Sequence, residues 1–271
     1  MQGMSGQIVK RYPQAGMQAA AVVSAHMLKV ARPLFWHVGV PNEGPLRGAS
    51  TFIIQFEARH IAVTADHVIA QYLEAREADH RTICQIGECR VWPEARLIAR
   101  SNELDIATFE IDAEKLSEMG AVPFDCRQDW PPPEVKDGYS LTLAGYLDTR
   151  RNKIGRGYYE HEAWGANAIA DAVSPREIVT VYEPDGTFAA NDTVAKPPLG
   201  FNMSGCSGGP AIVLKSVNGL IRWFPAGFIY KGPGDKAEGE FATFDRIHIR
   251  KLHFIQPDGT IAEPDTGWLP T

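Results

Sequence analysis

The sequence predicts an all-β fold in two halves, paired six-stranded β-barrels or sandwiches, and three observations predict it. Its 25 glycines and 19 prolines among 271 residues supply many turns and few long helices. Short runs rich in Ile, Val, Thr, Phe and Trp recur between those turns, as a pleated and partly buried surface prefers. The stretch DWPPPEVKDG (129–138) divides those runs into two sets, because three consecutive prolines continue neither a strand nor a helix.

Taken in order, MQAAAVVSAHMLKVA (17–31) is mostly alanine and broken by Gln18, Ser24 and His26. That is too weakly apolar for a secretory leader, so it predicts a short helix packed on the body, within an N-terminal extension spanning 1–45. PLFWHVGV (33–40) reads as a strand, and GASTFIIQFEARHIAVTADHVI (48–69) as a hairpin turning at Glu57-Ala58-Arg59. Strands follow at 81–92, 95–101 and 105–111, then a helical turn or two at 113–120 ending at Gly120, completing a first barrel over 46–128. A second barrel over 129–254 takes strands at 139–146, 176–183, 208–216, 220–232 and 239–247. HIRKLHF (248–254) reads as a solvated basic helical turn, and 255–271 as a turn-rich tail. No repeat with a period of 20–50 residues interrupts this pattern.

Bulk properties exclude several classes. Hydrophobic and charged contents of 44% and 22% are those of a soluble globular protein. A formal charge of −6 argues against a nucleic-acid surface. No apolar run approaches the ~20 residues that span a bilayer. Four cysteines are too sparse for a disulfide scaffold, which points to a reducing, cytoplasmic compartment. Cys84 and Cys89 flank a Gly87 turn and could lie across a hairpin. With His80 they could hold zinc, but no second ligand pair follows, so no metal or organic cofactor is expected.

Three segments carry chemistry: Thr64-Ala65-Asp66-His67-Val68 at the end of a strand, Asp105-Ile106-Ala107 opening another, and Gly205-Cys206-Ser207-Gly208-Gly209-Pro210 in the second half. A serine hydroxyl needs a neighbouring imidazole to take its proton, and that imidazole needs a carboxylate on its other nitrogen. Glycines around the serine let backbone N–H groups converge on a developing oxyanion, where one donor is worth about 3–4 kcal/mol. Asp66 adjoins His67, but successive side chains of a strand point to opposite faces, which favours Asp105 as the partner.

Together these segments resemble the motifs of the chymotrypsin-like (trypsin-like) serine peptidases, in the order His, Asp, Ser, with separations of 38 and 102 residues. The resemblance covers most of 45–250 and implies a double β-barrel with His67 and Asp105 in the first barrel and Ser207 in the second. It implies a serine endopeptidase acting through an acyl-enzyme, with an oxyanion hole from the N–H groups of Gly205 and Ser207. Phe201, six positions before the serine, falls at the specificity-pocket floor and implies small or medium apolar side chains before the cleaved bond. Tyr230, Lys231 and Gly232 fall on the strand that pairs with an extended polypeptide substrate, and GEFATF (239–244) on a pocket wall. The alternatives are a non-catalytic peptide-binding module on the same fold and an esterase acting on small acyl groups.

Two departures narrow the resemblance. Val68 stands where secreted trypsins carry a disulfide cysteine, which brings the chain closer to the bacterial high-temperature-requirement-like branch. Cys206 stands where trypsin-type zymogens carry an aspartate that pairs with a freshly cut N-terminal amine. Cysteine cannot anchor that ion pair, so activation by N-terminal cleavage is not expected. Ser204 lies too early to share the loop geometry of Ser207.

Overall fold

A computed structural model describes residues 14–39, 46–155, 158–183, 187–189, 201–217, 220–233 and 246–262. The chain runs α1 (Gln14–Val30), β1 (Arg32–Val38), β2 (Arg47–Phe56), β3 (Arg59–Thr64), α2 (Asp66–Ala78), β4 (Thr82–Ile86) and β5 (Cys89–Val91). It continues through α3 (Pro93–Arg96), β6 (Leu97–Ser101), β7 (Ile106–Ile111), α4 (Lys115–Glu118) and β8 (Phe124–Asp125). The second half holds β9 (Ser140–Gly155), β10 (Tyr158–Val173), β11 (Glu177–Val181), β12 (Thr187–Ala189), β13 (Pro210–Val217), β14 (Leu220–Lys231) and β15 (Arg246–Lys251).

The second half closes as expected. Its strands pair in the order β11-β15-β14-β13-β9-β10, and β10 returns to β11, making a six-stranded barrel with β12 added outside on β10. Closure removes the unpaired edges of an open sheet. Trp164, Leu143, Ile178, Ile247 and Ile249 fill the interior.

The first half differs from the expected closed barrel: it is an open sheet in the order β5-β4-β1-β2-β3-β7-β6, with β8 paired parallel to β2. β5 is three residues long, and after Trp92 the chain turns at Pro93 into α3; no ladder joins β5 to β6. β1, within the expected N-terminal extension, sits mid-sheet between β4 and β2.

The β2–β3 hairpin forms with Phe56 opposite Arg59 and Glu57 at φ 50°. Its second strand stops at Thr64, however, and α2 takes over where a strand end was expected. The buried positions Val68, Ile69 and Tyr72 explain why: they follow the helical period, not the strand period. The basic run 248–254 is β15 followed by a 3-10 turn at Leu252–Phe254, with Ile249, Arg250, Leu252 and Phe254 buried, not a solvated helical turn. GEFATF (239–244) lies outside the described residues.

The first and last described segments cross between the halves. α1 buries Val23, Met27 and Val30 and packs on β9 and β10, and Tyr146 Oη donates to Ala31 O at 3.3 Å. In the other direction, Gly259 packs on Ile61 and Ile98, Thr108 Oγ1 donates to Gly259 O at 2.7 Å, and Trp130 Nε1 donates to Ile255 O at 2.9 Å. Among the described residues no helix is long and apolar enough to cross a membrane.

Candidate active site

Helix α2 starts without a side-chain cap, because Ala65 occupies the N-cap position. Asp105 supplies a carboxylate there from across the sheet: the His67 N–H donates to Asp105 Oδ1 at 2.9 Å. An anion at a helix N-terminus satisfies an otherwise orphaned N–H and meets the positive end of the helix dipole. The same carboxylate reaches the imidazole, with His67 Nδ1 2.9 Å from Oδ2 and 3.1 Å from Oδ1. A carboxylate can only accept, so this contact selects the Nδ1–H tautomer and leaves Nε2 as an acceptor. The imidazole side chain is 41% exposed and the carboxylate 21%, so the pair is open to a reactant on its outer side.

Asp105 holds this position in a left-handed conformation, φ 54°, at the end of the turn between β6 and β7, with its N–H on Asn102 O at 3.3 Å. Non-glycine residues pay for that region unless their surroundings fix it, and aspartate tolerates it better than most. Asp66 is buried and turned elsewhere, accepting from Arg100 Nε at 2.6 Å and Nη2 at 3.2 Å. Asp105, not Asp66, is thus the histidine's partner, but because Arg100 captures Asp66 at the helix start and not because strand side chains alternate.

The 201–210 loop enters β13, and its glycines are there for space. A Cβ on Gly208 (φ 88°) would lie 2.0 Å from Ser50 O and 2.3 Å from Thr64 Oγ1, and one on Gly209 would lie 2.2 Å from Ala144 O. A Cβ on Gly205 (φ 93°) would lie 2.5 Å from Tyr146 O. The loop is fixed to the barrel through Gly208 N–H to Ile229 O at 2.7 Å and Ile229 N–H to Gly209 O at 2.8 Å.

Ser207 is half-buried, and its carbonyl accepts from the Ser50 N–H at 2.8 Å. Ser50, fully buried in β2, also donates from Oγ to Gly205 O at 2.8 Å and accepts from the Tyr146 N–H at 2.9 Å. Thr64 Oγ1, three residues before His67, donates to Ser50 O at 2.9 Å. One buried serine therefore joins the strand leading to His67 with the loop carrying Ser207. The sequence reading missed Ser50, and a small residue within GAST carries no signal of its own.

Two backbone donors stay open. In a planar trans peptide the C=O and N–H point in opposite directions. Cys206 O accepts from Gly209 N–H at 2.8 Å and Ser204 O from Asp148 N–H at 2.9 Å, so the N–H groups of Ser207 and Gly205 point the other way. Among the described residues neither of these N–H groups donates a hydrogen bond.

Phe201 packs on Tyr182 and Trp164, with ring centroids 4.6 and 6.0 Å away. The segments 201–203 and 230–233 run side by side: Met203 N–H donates to Pro233 O at 2.9 Å, and a Cβ on Gly232 would lie 2.9 Å from Met203 Sδ. Tyr230 sits at an irregularity in the β14–β15 register, between the pairs Ile229–Ile249 and Lys231–His248. Such bulges re-aim side chains. The Tyr230 hydroxyl donates to Glu177, the Arg250 guanidinium covers its ring at 4.3 Å, and burial with the Glu177 contact pushes its phenol up to about 12. Lys231 is exposed beside it.

All four cysteines are free and buried. Cys84 faces Val91 and Cys89 faces Ile86 across the β4–β5 hairpin, so the two thiols are not opposed. Burial raises the Cys206 thiol far above its ordinary range, which leaves it without thiolate character beside Ser207. Among the described residues no group of His, Cys, Asp and Glu could hold a metal ion.

No family model and no curated protein matches the chain. Among solved structures it is similar to the Rv3671c protease from M. tuberculosis in its active form (13% identity, TM-score 0.42, 93% of this chain and 89% of that one). It is similar also to the protease Anisep from Arthrobacter nicotinovorans (13% identity, TM-score 0.41, 82% and 90%). A third is the thermostable serine protease AL20 from an extremophilic microorganism (11% identity, TM-score 0.42, 82% and 91%). At these values the likeness carries no weight for activity.

Proposed function

We propose that this protein is a serine endopeptidase on a chymotrypsin-like fold, with one closed barrel and one half-barrel sheet. Ser207 Oγ attacks the carbonyl carbon of a peptide bond while His67 Nε2 takes its proton. Asp105 holds the tautomer and stabilises the imidazolium. The N–H groups of Gly205 and Ser207 receive the oxyanion. Collapse of the tetrahedral intermediate passes the proton from His67 to the leaving amine and leaves an acyl-enzyme. Water, deprotonated by His67, then hydrolyses that ester and restores the serine.

The observation that carries this reading is the bonded His67–Asp105 pair, joined through Ser50 to a loop whose two N–H groups around a half-buried serine find no acceptor among the described residues. The polypeptide would lie extended along Tyr230–Gly232. Phe201, packed on Tyr182 and Trp164, supports a shallow apolar pocket that takes small or medium apolar side chains. The same packing favours the second reading, a peptide-binding module whose pocket is too filled for turnover.

A fluorophosphonate probe separates the two. The catalytic reading expects covalent labelling at Ser207, abolished by Ser207→Ala and by heat unfolding. Folded wild-type protein that stays unlabelled leaves the binding module. Turnover of nitrophenyl esters without cleavage of any member of a peptide library would replace the endopeptidase with an esterase.

A further inference from the structure

Cys206 is uncharged and fully buried, so it cannot anchor the serine loop through an ion pair. A different group holds that loop. Asp148 in β9 reaches Ser204 twice: its N–H donates to Ser204 O at 2.9 Å, and its Oδ2 accepts from Ser204 Oγ at 2.8 Å. Its Oδ1 lies 3.3 Å from Arg151 Nη1. The ion pair is seated between two bare backbones, since a Cβ on Gly48 would lie 3.1 Å from Arg151 Nη1 and 3.2 Å from Asp148 Oδ1. A Cβ on Gly205 would lie 3.1 Å from the same oxygen.

Ser204 O and Gly205 N–H belong to one peptide unit. While Asp148 holds the oxygen, the Gly205 N–H can only point away from β9, toward the open side of the loop. Rotation of that unit would break the bond from the Asp148 N–H and remove an oxyanion donor, while the Asp148 carboxylate fixes the Ser204 side chain from which the unit hangs. On the far side, Gly205 O is held by Ser50 Oγ at 2.8 Å.

The geometry points to Asp148, braced by Arg151, as a positioning residue that keeps the Ser204–Gly205 peptide in its donating orientation in the uncut chain. The inference rests on Ser207 being the nucleophile, and Asp148 itself touches no substrate.

The test compares the full-length wild type with Asp148→Ala, Asp148→Asn and Ser204→Ala, reading kcat and KM on an ester substrate, the fluorophosphonate acylation rate, and amide hydrogen exchange over 203–207. Asp148→Ala is expected to lower kcat and acylation about 10- to 100-fold with KM within about twofold, because an oxyanion contact forms only in the transition state. Asp148→Asn, which keeps an acceptor for Ser204 Oγ, recovers part of that loss. Every variant keeps the main-chain bond; Ser204→Ala loses only the hydroxyl contact, whereas Asp148→Ala loses that contact and the Arg151 pair. Ser204→Ala is therefore expected to lose less, about threefold to tenfold, with faster exchange in the loop in each weakened variant. Folded Asp148→Ala and Ser204→Ala proteins that acylate at the wild-type rate overturn the inference. A wild type that does not label at all overturns the serine reading instead. In that case unchanged exchange in Asp148→Ala shows separately that Asp148 does not hold the loop.

Discussion

Asp105 performs two tasks with one carboxylate, and Asp105→Asn separates them. The amide keeps an oxygen for the His67 N–H but offers an NH₂ toward Nδ1, which forces the ring into the Nε2–H tautomer. On the proposed chemistry kcat falls by the order of 10⁴ while helix α2 stays in place. Burst kinetics together with far-ultraviolet circular dichroism check both halves of that expectation. At this scale the site was half legible. His67, Asp105 and Ser207 stand out because each sits in a short motif whose residue types its chemistry requires. Ser50 and Asp148 do not, because their roles arise from where folding brings a lone serine and a lone aspartate, across separations of 155 and 56 residues.

Helix α1 is more than a cover on the body. Met27 is fully buried in the core cluster that also takes in Phe52 and Phe124, and Met27→Ala is expected to cost about 2–5 kcal/mol. Urea unfolding with an unchanged m-value is the measurement, and a loss below ~1 kcal/mol would place the helix outside the core. The β9–β10 hairpin carries a different liability. His161 stacks on Phe35 at 4.6 Å, and burial, with Arg151 nearby, holds its pKa down to about 4. The unfolded chain therefore binds this proton more readily than the native one, so the stability His161 contributes is complete above about pH 6.5 and declines as pH falls toward 4. Thermal midpoints across that window should fall more steeply for the wild type than for His161→Phe. Elements with a clean period, such as the β2–β3 hairpin, were readable from sequence. α2 was not, since Val68 and Ile69, so soon after the apolar run of β3, read as its continuation, and the helical period shows only once Tyr72 joins them.

The molecule as a whole keeps its thiols out of reach. Cys84, Cys89, Cys126 and Cys206 are all buried, and burial pushes Cys89 up to about 11 and Cys126 up to about 12. Iodoacetamide at pH 8 is expected to leave the native protein unmodified and all its activity intact, with four thiols alkylated only after unfolding. Intact-mass measurement checks this, and rapid loss of activity with one adduct would show that one of the thiols is accessible and needed for activity. The division into two β-rich halves was legible because prolines mark it. The open edge of the first sheet was not, because closure depends on whether β5 is long enough to meet β6 and not on the pattern within either strand.

The Ser50 junction has a consequence for how such a chain is made. On the proposed chemistry the base and its carboxylate, His67 and Asp105, fold with the first sheet, whereas Ser207 and its N–H donors belong to the second half and are tied to the first through Ser50. A ribosome releases the first half well before the 201–210 loop has been synthesised. If Ser207 is the nucleophile as proposed, the nascent chain is inactive for most of its synthesis and gains reactivity when the two halves dock, so that assembly itself acts as the safety catch.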